Sequence, residues 1–238
     1  MADHQNFVVI AGGGTAGHVL PGLAIASALV ERGHTPSTIH FVGSQGRIEE
    51  RLVPEAGFTV TLLPGRGIER RLTLRNISAA IGIVRAFGHA VLLIRRLRPR
   101  VVIAVGGYAS VATAFAAKLW RVPVIVAEQN AIPGAANRLV ARFARAAAVS
   151  FPGTPLRRAI VTGNPIRPKV LEIDRRRDGE AAKAALAVES GRRLVLVTGG
   201  SLGALRINEA AMDALDRWKD RDDLAVRHIV GERDWNVI

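Results

Sequence analysis

The chain has 238 residues, of which 49% are hydrophobic, so it is long enough to form one or two α/β domains with a buried core. It contains no cysteine, which excludes disulfides, thiolate metal sites and cysteine nucleophiles. Its 33 lysine and arginine residues outnumber its 20 acidic residues, and the net charge of +13 predicts an anionic partner. Only 5% of the residues are aromatic and no zinc-finger or RNA-binding motif is present, so nucleic acid is not the expected partner.

The N-terminal residues lead directly into an apolar segment that resembles a strand. They lack the basic start, apolar stretch and small-residue cleavage site of a signal peptide. No window of about 18 consecutive apolar residues predicts a membrane-spanning helix. From these patterns we expect a protein that stays in the cytoplasm.

The first predicted element is a strand at residues 7–11, followed by a glycine turn and a helix. The strand is short, β-branched and almost continuously apolar, which is typical of a parallel sheet covered on both faces. The glycines at residues 12–14 and Gly17 allow a sharp turn and leave backbone amides accessible at the start of a helix, where the dipole favours anions. Because His18 follows directly, this stretch predicts a phosphate or sugar site with a titratable ring beside it.

The same glycines fit the dinucleotide-binding fingerprint of nicotinamide-dependent oxidoreductases. That fold needs an acidic residue at the end of the second strand to hold the ribose hydroxyls, but the predicted strand at residues 38–42 is followed by a Gly-Ser-Gln turn. Ser44 and Arg47 are able to hold a 2′-phosphate, so an NADP-binding oxidoreductase stays open as an alternative. His18 argues against it, because dehydrogenases have no use for a titratable ring at this position.

Predicted strands and helices alternate through the rest of the first half, which indicates an α/β fold with a parallel sheet. Two later strands end in turns that suit a ligand site: Gly106, Gly107 and Tyr108 follow one, and Glu128 and Asn130 follow the other. Ligands of open parallel sheets bind at the carboxyl ends of the strands, and a carboxylate and an amide suit sugar hydroxyls. The predicted elements are helices at 47–56, 76–98 and 135–144, a further helix that follows the turn at 106–110 and ends near residue 120, and strands at 58–63, 101–105, 124–127, 146–149 and 160–162.

The long helix at residues 76–98 has a wider apolar face than packing on one sheet requires. Residues 66–100 also contain nine arginines and a single acidic residue, Glu69. Neighbouring helices could cover the surplus apolar surface. An apolar surface rimmed by arginine is, however, typical of a protein that lies on anionic lipid, where each basic residue adds about 1 kcal/mol. We expect membrane contact through Arg70, Arg71, Arg75, Ile83, Phe87 and Ile94.

Residues 163–168 contain two prolines, and a charged run follows at residues 175–179. These two segments predict a domain boundary between them. We assign domains to residues 1–167 and 168–238. The pattern restarts in the second domain with a strand at 194–198, a glycine turn and a helix at 205–219, and one more strand follows at 225–230. Two or three strands cannot form a parallel sheet covered on both faces, so we expect an incomplete domain with an exposed strand edge and apolar face.

Five motifs in this order resemble the MurG family of glycosyltransferases: residues 13–21, 106–110, 128–130, 163–167 and 199–204. Members of that family move GlcNAc from UDP-GlcNAc to the C4 hydroxyl of MurNAc in undecaprenyl-pyrophosphoryl-MurNAc-pentapeptide, converting lipid I to lipid II in peptidoglycan synthesis. The resemblance covers essentially the whole chain. It implies a GT-B fold of two Rossmann-like domains, the second incomplete here, and inversion at the sugar carbon without a metal or other cofactor.

The resemblance also implies roles for individual residues. The matching positions for UDP-GlcNAc binding are Thr15, Ala16, Gly17, Asn130, Arg167 and Ser201. Those for the acceptor and phosphate loops are Gly13, Gly14, Gly106, Gly107 and Tyr108. His18 is the expected base for the acceptor hydroxyl, and Glu128 is either a rival base or its orienting partner. His18 could also only cap the helix or bind the acceptor pyrophosphate.

The resemblance implies that the first domain binds the acceptor and the membrane and that the second binds the UDP-sugar. The expected partners are UDP-GlcNAc, undecaprenyl-linked lipid I and an anionic membrane, and the expected location is the cytoplasmic face of the cell membrane. The family's second domain continues beyond residue 238, so an alternative is a truncated, non-catalytic membrane-surface domain that retains acceptor binding.

Overall fold

The computed structural model describes residues 6–64, 75–200 and 203–238, with the backbone alone for residues 75–81 and 83. The chain divides into two compact units, unit 1 (Met1–Leu171) and unit 2 (Glu172–Ile238). Within the described residues, no helix combines the length and apolar character needed to cross a membrane.

Unit 1 contains a seven-stranded parallel sheet in the order β3-β2-β1-β4-β5-β6-β7. From β1 the chain first adds strands on one side (β2, β3) and then on the other (β4 to β7), so the topological switch point lies between β1 and β4, where ligands of doubly wound folds bind. The predicted α/β fold with a parallel sheet is therefore confirmed. The strands are β1 (Val8–Gly12), β2 (Ile39–Ser44), β3 (Thr59–Leu63), β4 (Val101–Gly106), β5 (Val124–Glu128), β6 (Ala146–Val149) and β7 (Ala159–Val161).

Helices cover both faces of this sheet, because successive strand residues point to opposite sides. On one face Val8 and Ile10 pack with side chains of the first two helices, and on the other Val9 and Ala11 pack with side chains of the third and fourth. The helices of unit 1 are α1 (Ala16–Glu31), α2 (Glu49–Glu55), α3 (Arg75–Leu97), α4 (Tyr108–Leu119), α5 (Ala135–Val140) and α6 (Pro168–Leu171).

Helix α3 corrects one part of the membrane-surface prediction. Ile94 is 1% exposed and belongs to the core together with Ala86 and Ala90, so it is not available to lipid. Phe87 is 38% exposed and remains a surface residue. Ala86, Ala90 and Ile94 recur every four residues and form the buried stripe of α3, whereas Phe87 is turned by about 100° from Ala86.

Unit 2 begins with α7 (Arg175–Ala185) and continues with β8 (Arg193–Thr198), α8 (Leu205–Arg217) and β9 (Leu224–Ile229). The charged run at 175–179, which the sequence analysis placed after the domain boundary, forms the first turns of α7. Asp174 caps this helix by accepting hydrogen bonds from the amides of Arg176 and Arg177 at 2.8 and 3.3 Å. Strands β8 and β9 pair in parallel, and Leu196 is 57% exposed, in line with the expected exposed apolar face.

Candidate functional site

The site lies where the turns after β1 and β4 meet at the carboxyl edge of the sheet. The amide of Gly13 donates to the carbonyl of Gly106 at 3.3 Å. A Cβ on Gly107, whose φ is +84°, would come within 2.5 Å of the Gly13 carbonyl oxygen. The close approach of these two turns therefore requires glycine at 107, both for space and for the backbone conformation.

His18 lies in the first turn of α1, with its ring against the turn that follows β4. Its Nδ1 lies 3.0 Å from the carbonyl oxygen of Gly13 and 3.4 Å from the hydroxyl of Thr15. A carbonyl can only accept, so Nδ1 carries the proton in this contact and Nε2 presents a lone pair. A Cβ on Gly106 would lie 2.8 Å from Nε2, so the ring position also requires glycine there. Within the described residues Nε2 makes no hydrogen bond, which leaves it able to accept a proton.

The start of α1 supplies unpaired donors beside His18. Thr15 is the N-cap residue, with extended backbone, but its side chain accepts no hydrogen bond from the helix. In the part of the chain that the structure describes, the amides of Ala16 and Gly17 have no acceptor. Two amides at a helix N-terminus are suited to phosphate oxygens.

Glu49 is a buried residue that sequence reasoning missed. It is 1% exposed, and its carboxylate accepts the Gly14 amide at 3.1 and 3.0 Å through its two oxygens and the Ser44 amide at 2.8 Å. Cβ atoms on Gly13 and Gly43 would come within 1.9 and 2.4 Å of its side chain. The available signal was the pair of glycines that end two adjacent strands, followed by an acidic residue in the first turn of α2. Glu49 thus fixes the conformation of the turn after β1.

This contact also bears on the NADP alternative. The Gly14 amide is occupied by Glu49 and is not available to a pyrophosphate. Ser44, which was considered for a 2′-phosphate, is 6% exposed and donates its amide to the same carboxylate. The geometry therefore argues against dinucleotide binding at this turn.

Glu128, at the end of β5, is 2% exposed, and its carboxylate is bound by residues of the following loop and of α5. One oxygen accepts from the backbone amide and side chain of Asn130 at 2.9 and 2.8 Å. The other accepts from the amide of Gly134 and the side chain of Asn137, both at 3.0 Å. The carboxylate therefore holds the loop at 129–134 in place and orients Asn130.

A cleft of about 610 Å³ in unit 1 brings together six of the eight residues predicted for catalysis or UDP-GlcNAc binding. Its walls come from the α1 N-terminus, the loop after β5 and the segment after β7. Predicted residues on its surface are Thr15, Ala16, Gly17, His18, Asn130 and Arg167, and additional polar residues are Gln129 and Asn164. Hydrogen-bond donors, an imidazole and a guanidinium thus face one space, an arrangement that can bind a phosphorylated sugar and accept a proton from a hydroxyl.

The other predicted residues do not line this cleft. Gly13, Gly14, Gly106 and Gly107 shape the turns behind it. Tyr108 anchors the start of α4 by donating its hydroxyl to the carbonyl of Gly82 at 3.0 Å, and burial raises the pKa of its phenol. Some predicted residues lie outside the described part of the chain: Arg70, Arg71 and Ser201, together with the side chains of Arg75 and Ile83.

Comparison with known proteins gives the same family for both units. The glycosyltransferase family 28 N-terminal domain matches residues 8–149, and the glycosyltransferase family 28 C-terminal domain matches residues 194–238. Among solved structures, Acinetobacter baumannii MurG is similar with a TM-score of 0.65 and 25% identity, covering 98% of this chain and 62% of that one. A UDP-GlcNAc 2-epimerase from Neisseria meningitidis has a TM-score of 0.61 at 13% identity, covering 96% and 67%, which is a likeness of fold alone.

Two curated relatives carry the name UDP-N-acetylglucosamine–N-acetylmuramyl-(pentapeptide) pyrophosphoryl-undecaprenol N-acetylglucosamine transferase. The one from Nocardioides sp. is 43% identical over 209 residues, covering 87% of this chain and 56% of that protein. The one from Bacteroides thetaiotaomicron is 37% identical over 221 residues, covering 91% and 59%. This chain therefore spans less than two thirds of these relatives' length. The resemblance found in the sequence is confirmed, and because the N-terminal match alone spans more than half of the residues, the chain belongs to glycosyltransferase family 28.

Proposed function

We propose that this protein transfers GlcNAc from UDP-GlcNAc to the C4 hydroxyl of MurNAc in undecaprenyl-pyrophosphoryl-MurNAc-pentapeptide. The observation that carries this proposal is the cleft of unit 1, where His18 presents an unpaired Nε2 beside the free amides of a helix N-terminus. The names of the curated relatives supply the substrates. His18, Ala16 and Gly17 line the same cleft, which supports a base and an anion site that face one space.

In this mechanism Nε2 of His18 accepts the proton of the acceptor hydroxyl. The hydroxyl oxygen forms a bond to the sugar carbon on the face opposite UDP, while the bond from that carbon to the UDP oxygen breaks. UDP leaves with the bonding electron pair, and the configuration at the carbon inverts. The hydrogen bond from Nδ1 to the Gly13 carbonyl stabilises the imidazolium that forms, because the carbonyl dipole points its negative end at the ring.

Phosphate groups are held in this proposal by the amides of Ala16 and Gly17 and by the guanidinium of Arg167, all at the cleft. Thr15 and Asn130 bind sugar hydroxyls. In this proposal Glu128 is neither the base nor the orienting partner of His18, because it is buried and its two oxygens accept four hydrogen bonds, none of them from His18; it orients Asn130 instead. No metal or other cofactor is required for these steps.

Replacing the proposed base tests the mechanism on the 238-residue chain with UDP-GlcNAc and a lipid I analogue. We expect His18→Ala to lower kcat by about 10²-fold while changing acceptor affinity little, which is the usual size of a general-base contribution. His34→Ala is the matched control, because His34 stacks on Phe7 at a ring separation of 3.8 Å and does not line the cleft.

A kcat for His18→Ala within a few-fold of the parent would contradict the role of His18 as base. Acceptor binding without turnover by the parent chain would instead support the alternative of a non-catalytic domain that retains the acceptor site. Glu128→Gln tests whether Glu128 positions Asn130. If it does, the NMR spectrum of this variant should show that the loop at 129–134 has become less ordered.

We also propose that the outer face of α3 places the protein on an anionic membrane surface. Val84 and Leu92 are 71% and 65% exposed, and Arg95 lies over the ring of Trp120 at 5.7 Å. Binding to vesicles should rise with anionic lipid and weaken with salt. Phe87→Ser should weaken it without unfolding unit 1, whereas equal binding to neutral vesicles at every salt concentration would contradict the electrostatic part.

A further inference from the structure

Unit 1 has a second cavity, of about 590 Å³, at the amino-terminal edge of the sheet, opposite the edge that carries the cleft. Val124 is the first residue of β5, and Arg145 and Arg158 immediately precede β6 and β7. Their backbones are fixed by sheet pairing, with the Arg145 amide donating to the Val124 carbonyl at 2.8 Å and the Ala147 amide donating to the Arg158 carbonyl at 3.0 Å. The strand starts therefore hold the cavity wall rigidly. We name it the amino-edge pocket, lined by Lys118, Arg121, Val122, Pro123, Val124, Phe143, Arg145 and Arg158.

The amino-edge pocket is strongly cationic. Four of its lining residues are basic and none is acidic. Across the described residues, none of the four forms a salt bridge. Lys118 lies over the ring of Phe143 at 4.8 Å, and Arg158 donates to the Ala144 carbonyl at 2.7 Å, so two of the cations are held in place. All four basic residues are exposed to solvent, so an anion from solution can reach them, and like charges grouped at one pocket attract anions.

The backbone at Arg121 provides an independent observation. Helix α4 ends in a Schellman motif, in which the Arg121 amide donates to the Lys118 carbonyl and the Val122 amide donates to the Ala117 carbonyl. This motif puts Arg121 at a φ of +58°, a conformation that favours glycine. Helices α1 and α2 end in the same motif and use Gly33 and Gly57 at the equivalent position.

Arginine at such a position carries a conformational cost that glycine avoids, and a function of its side chain is one reason for its use there. A Schellman position needs no side chain for the fold, and the Arg121 side chain forms no salt bridge among the described residues. Strained backbone of this kind is a reason to look for a function. Arg121 lines the amino-edge pocket, so ligand binding there is the function to examine.

We propose that the amino-edge pocket binds a phosphate group. Three guanidinium groups and one ammonium group suit phosphate oxygens, because guanidinium groups bind such oxygens through paired N–H donors. The apolar lining from Phe143, Val122 and Pro123 leaves room for a nonpolar part of the ligand beside the phosphate. The phosphate can belong to a soluble phosphomonoester or to a phospholipid headgroup, and this site is separate from the cleft that contains His18.

Arg121→Gly tests the proposal because the two explanations of Arg121 predict opposite patterns. We expect the Tm of unit 1 to rise or stay unchanged, since glycine suits the φ of +58°, while affinity for inorganic phosphate falls about tenfold or more. Phosphate binding is followed by NMR at the amides of Arg121, Val122 and Val124 and at those of residues 145–147. A fall in Tm together with unchanged phosphate affinity would overturn the proposal, because Arg121 would then serve the fold.

Ala187→Gly is the matched control. Ala187 has a φ of +54° in the same Schellman motif at the end of α7, in unit 2 and away from the amino-edge pocket. This variant should raise stability without changing phosphate binding. Equal weakening of phosphate binding by both variants would contradict a site at Arg121.

Two arms distinguish the source of the phosphate. One titrates inorganic phosphate and glycerol phosphate, and the other sediments the protein with vesicles of phosphatidylglycerol or phosphatidylcholine. Dependence of both arms on Arg121 and Arg145 supports a headgroup site, and dependence of the soluble arm alone supports a soluble ligand. If neither arm responds to Arg121→Gly or Arg145→Ser, the amino-edge pocket is not a phosphate site.

Discussion

Strand β4 in unit 1 and strand β8 in unit 2 have similarly apolar sequences but very different surroundings. Val102 and Ala104 of β4 are completely buried, with strands on both sides and contacts from α1 and α4. In β8, Leu196 is 57% exposed, and in the described residues this strand pairs with β9 alone. Burial of a parallel strand is therefore decided by its neighbours and not by its own hydrophobicity.

The same contrast extends to what stabilises each unit. Unit 1 has two apolar layers, one on each face of the sheet. Unit 2 relies more on a polar cluster, in which the buried Asn208 donates to the Val230 carbonyl at 3.0 Å and to the Asp234 carboxylate at 3.1 Å, and accepts from His228 at 3.0 Å. Arg233 beside Asp234 lowers the pKa of that carboxyl, which keeps it an acceptor.

The largest expected difference comes from equivalent truncations in the two sheets. Ile10→Ala should lower the free energy of unfolding of unit 1 by about 3 kcal/mol, because Ile10 is 1% exposed and its loss leaves a cavity. Leu196→Ala should cost unit 2 less than about 1 kcal/mol, since its side chain is mostly in water already. Native-state hydrogen exchange at the amides of β4 and β8 reports the two units separately. Equal costs would refute the contrast between the sheets.

Acid should destabilise unit 1 through His40. Burial, and secondarily the positive charge of Arg96, lower the pKa of His40 from 6.5 to about 4. The unfolded chain therefore binds a proton that the folded chain does not between these two values, so stability is full above pH 6.5 and falls as the pH approaches 4. The maximum loss is about 3 kcal/mol.

Unfolding of unit 1 by urea between pH 7 and pH 4 measures this effect. His40→Asn removes the titrating group and should flatten the dependence, while hydrogen exchange in unit 2 provides the internal control. A parent and variant with the same pH dependence would exclude His40 as the cause.

A smaller effect is expected from the polar cluster of unit 2. Asn208→Ala removes three hydrogen bonds from a residue that is fully buried, and should destabilise unit 2 by about 2 kcal/mol with little effect on unit 1. Asn137→Ala, which removes a buried asparagine from unit 1, is the matched comparison. Unchanged hydrogen exchange at β8 in Asn208→Ala would mean that apolar contacts, and not the cluster, stabilise unit 2.

The sequence by itself determined the order and approximate bounds of the strands and of most helices, although it did not predict α6 and α7. Short apolar segments, glycine turns and helical periodicity are local patterns, and local patterns predict local structure. The five motifs also determined the family. The glycines after β1 and β4 and His18 were found in this way, because their chemistry depends on neighbours within a few residues.

Only the tertiary structure decided which side chains are buried and what they contact. Glu49 reaches the Gly14 amide across 35 residues of sequence, and no local pattern indicates that contact. Ile94 and Phe87 belong to one amphipathic helix, yet only packing on the sheet put the first in the core and the second at the surface. In the sequence Arg121 is one of many arginines, and only the structure shows that its φ is +58°. Contacts between distant residues depend on how the elements pack, and that information is distributed over the whole chain.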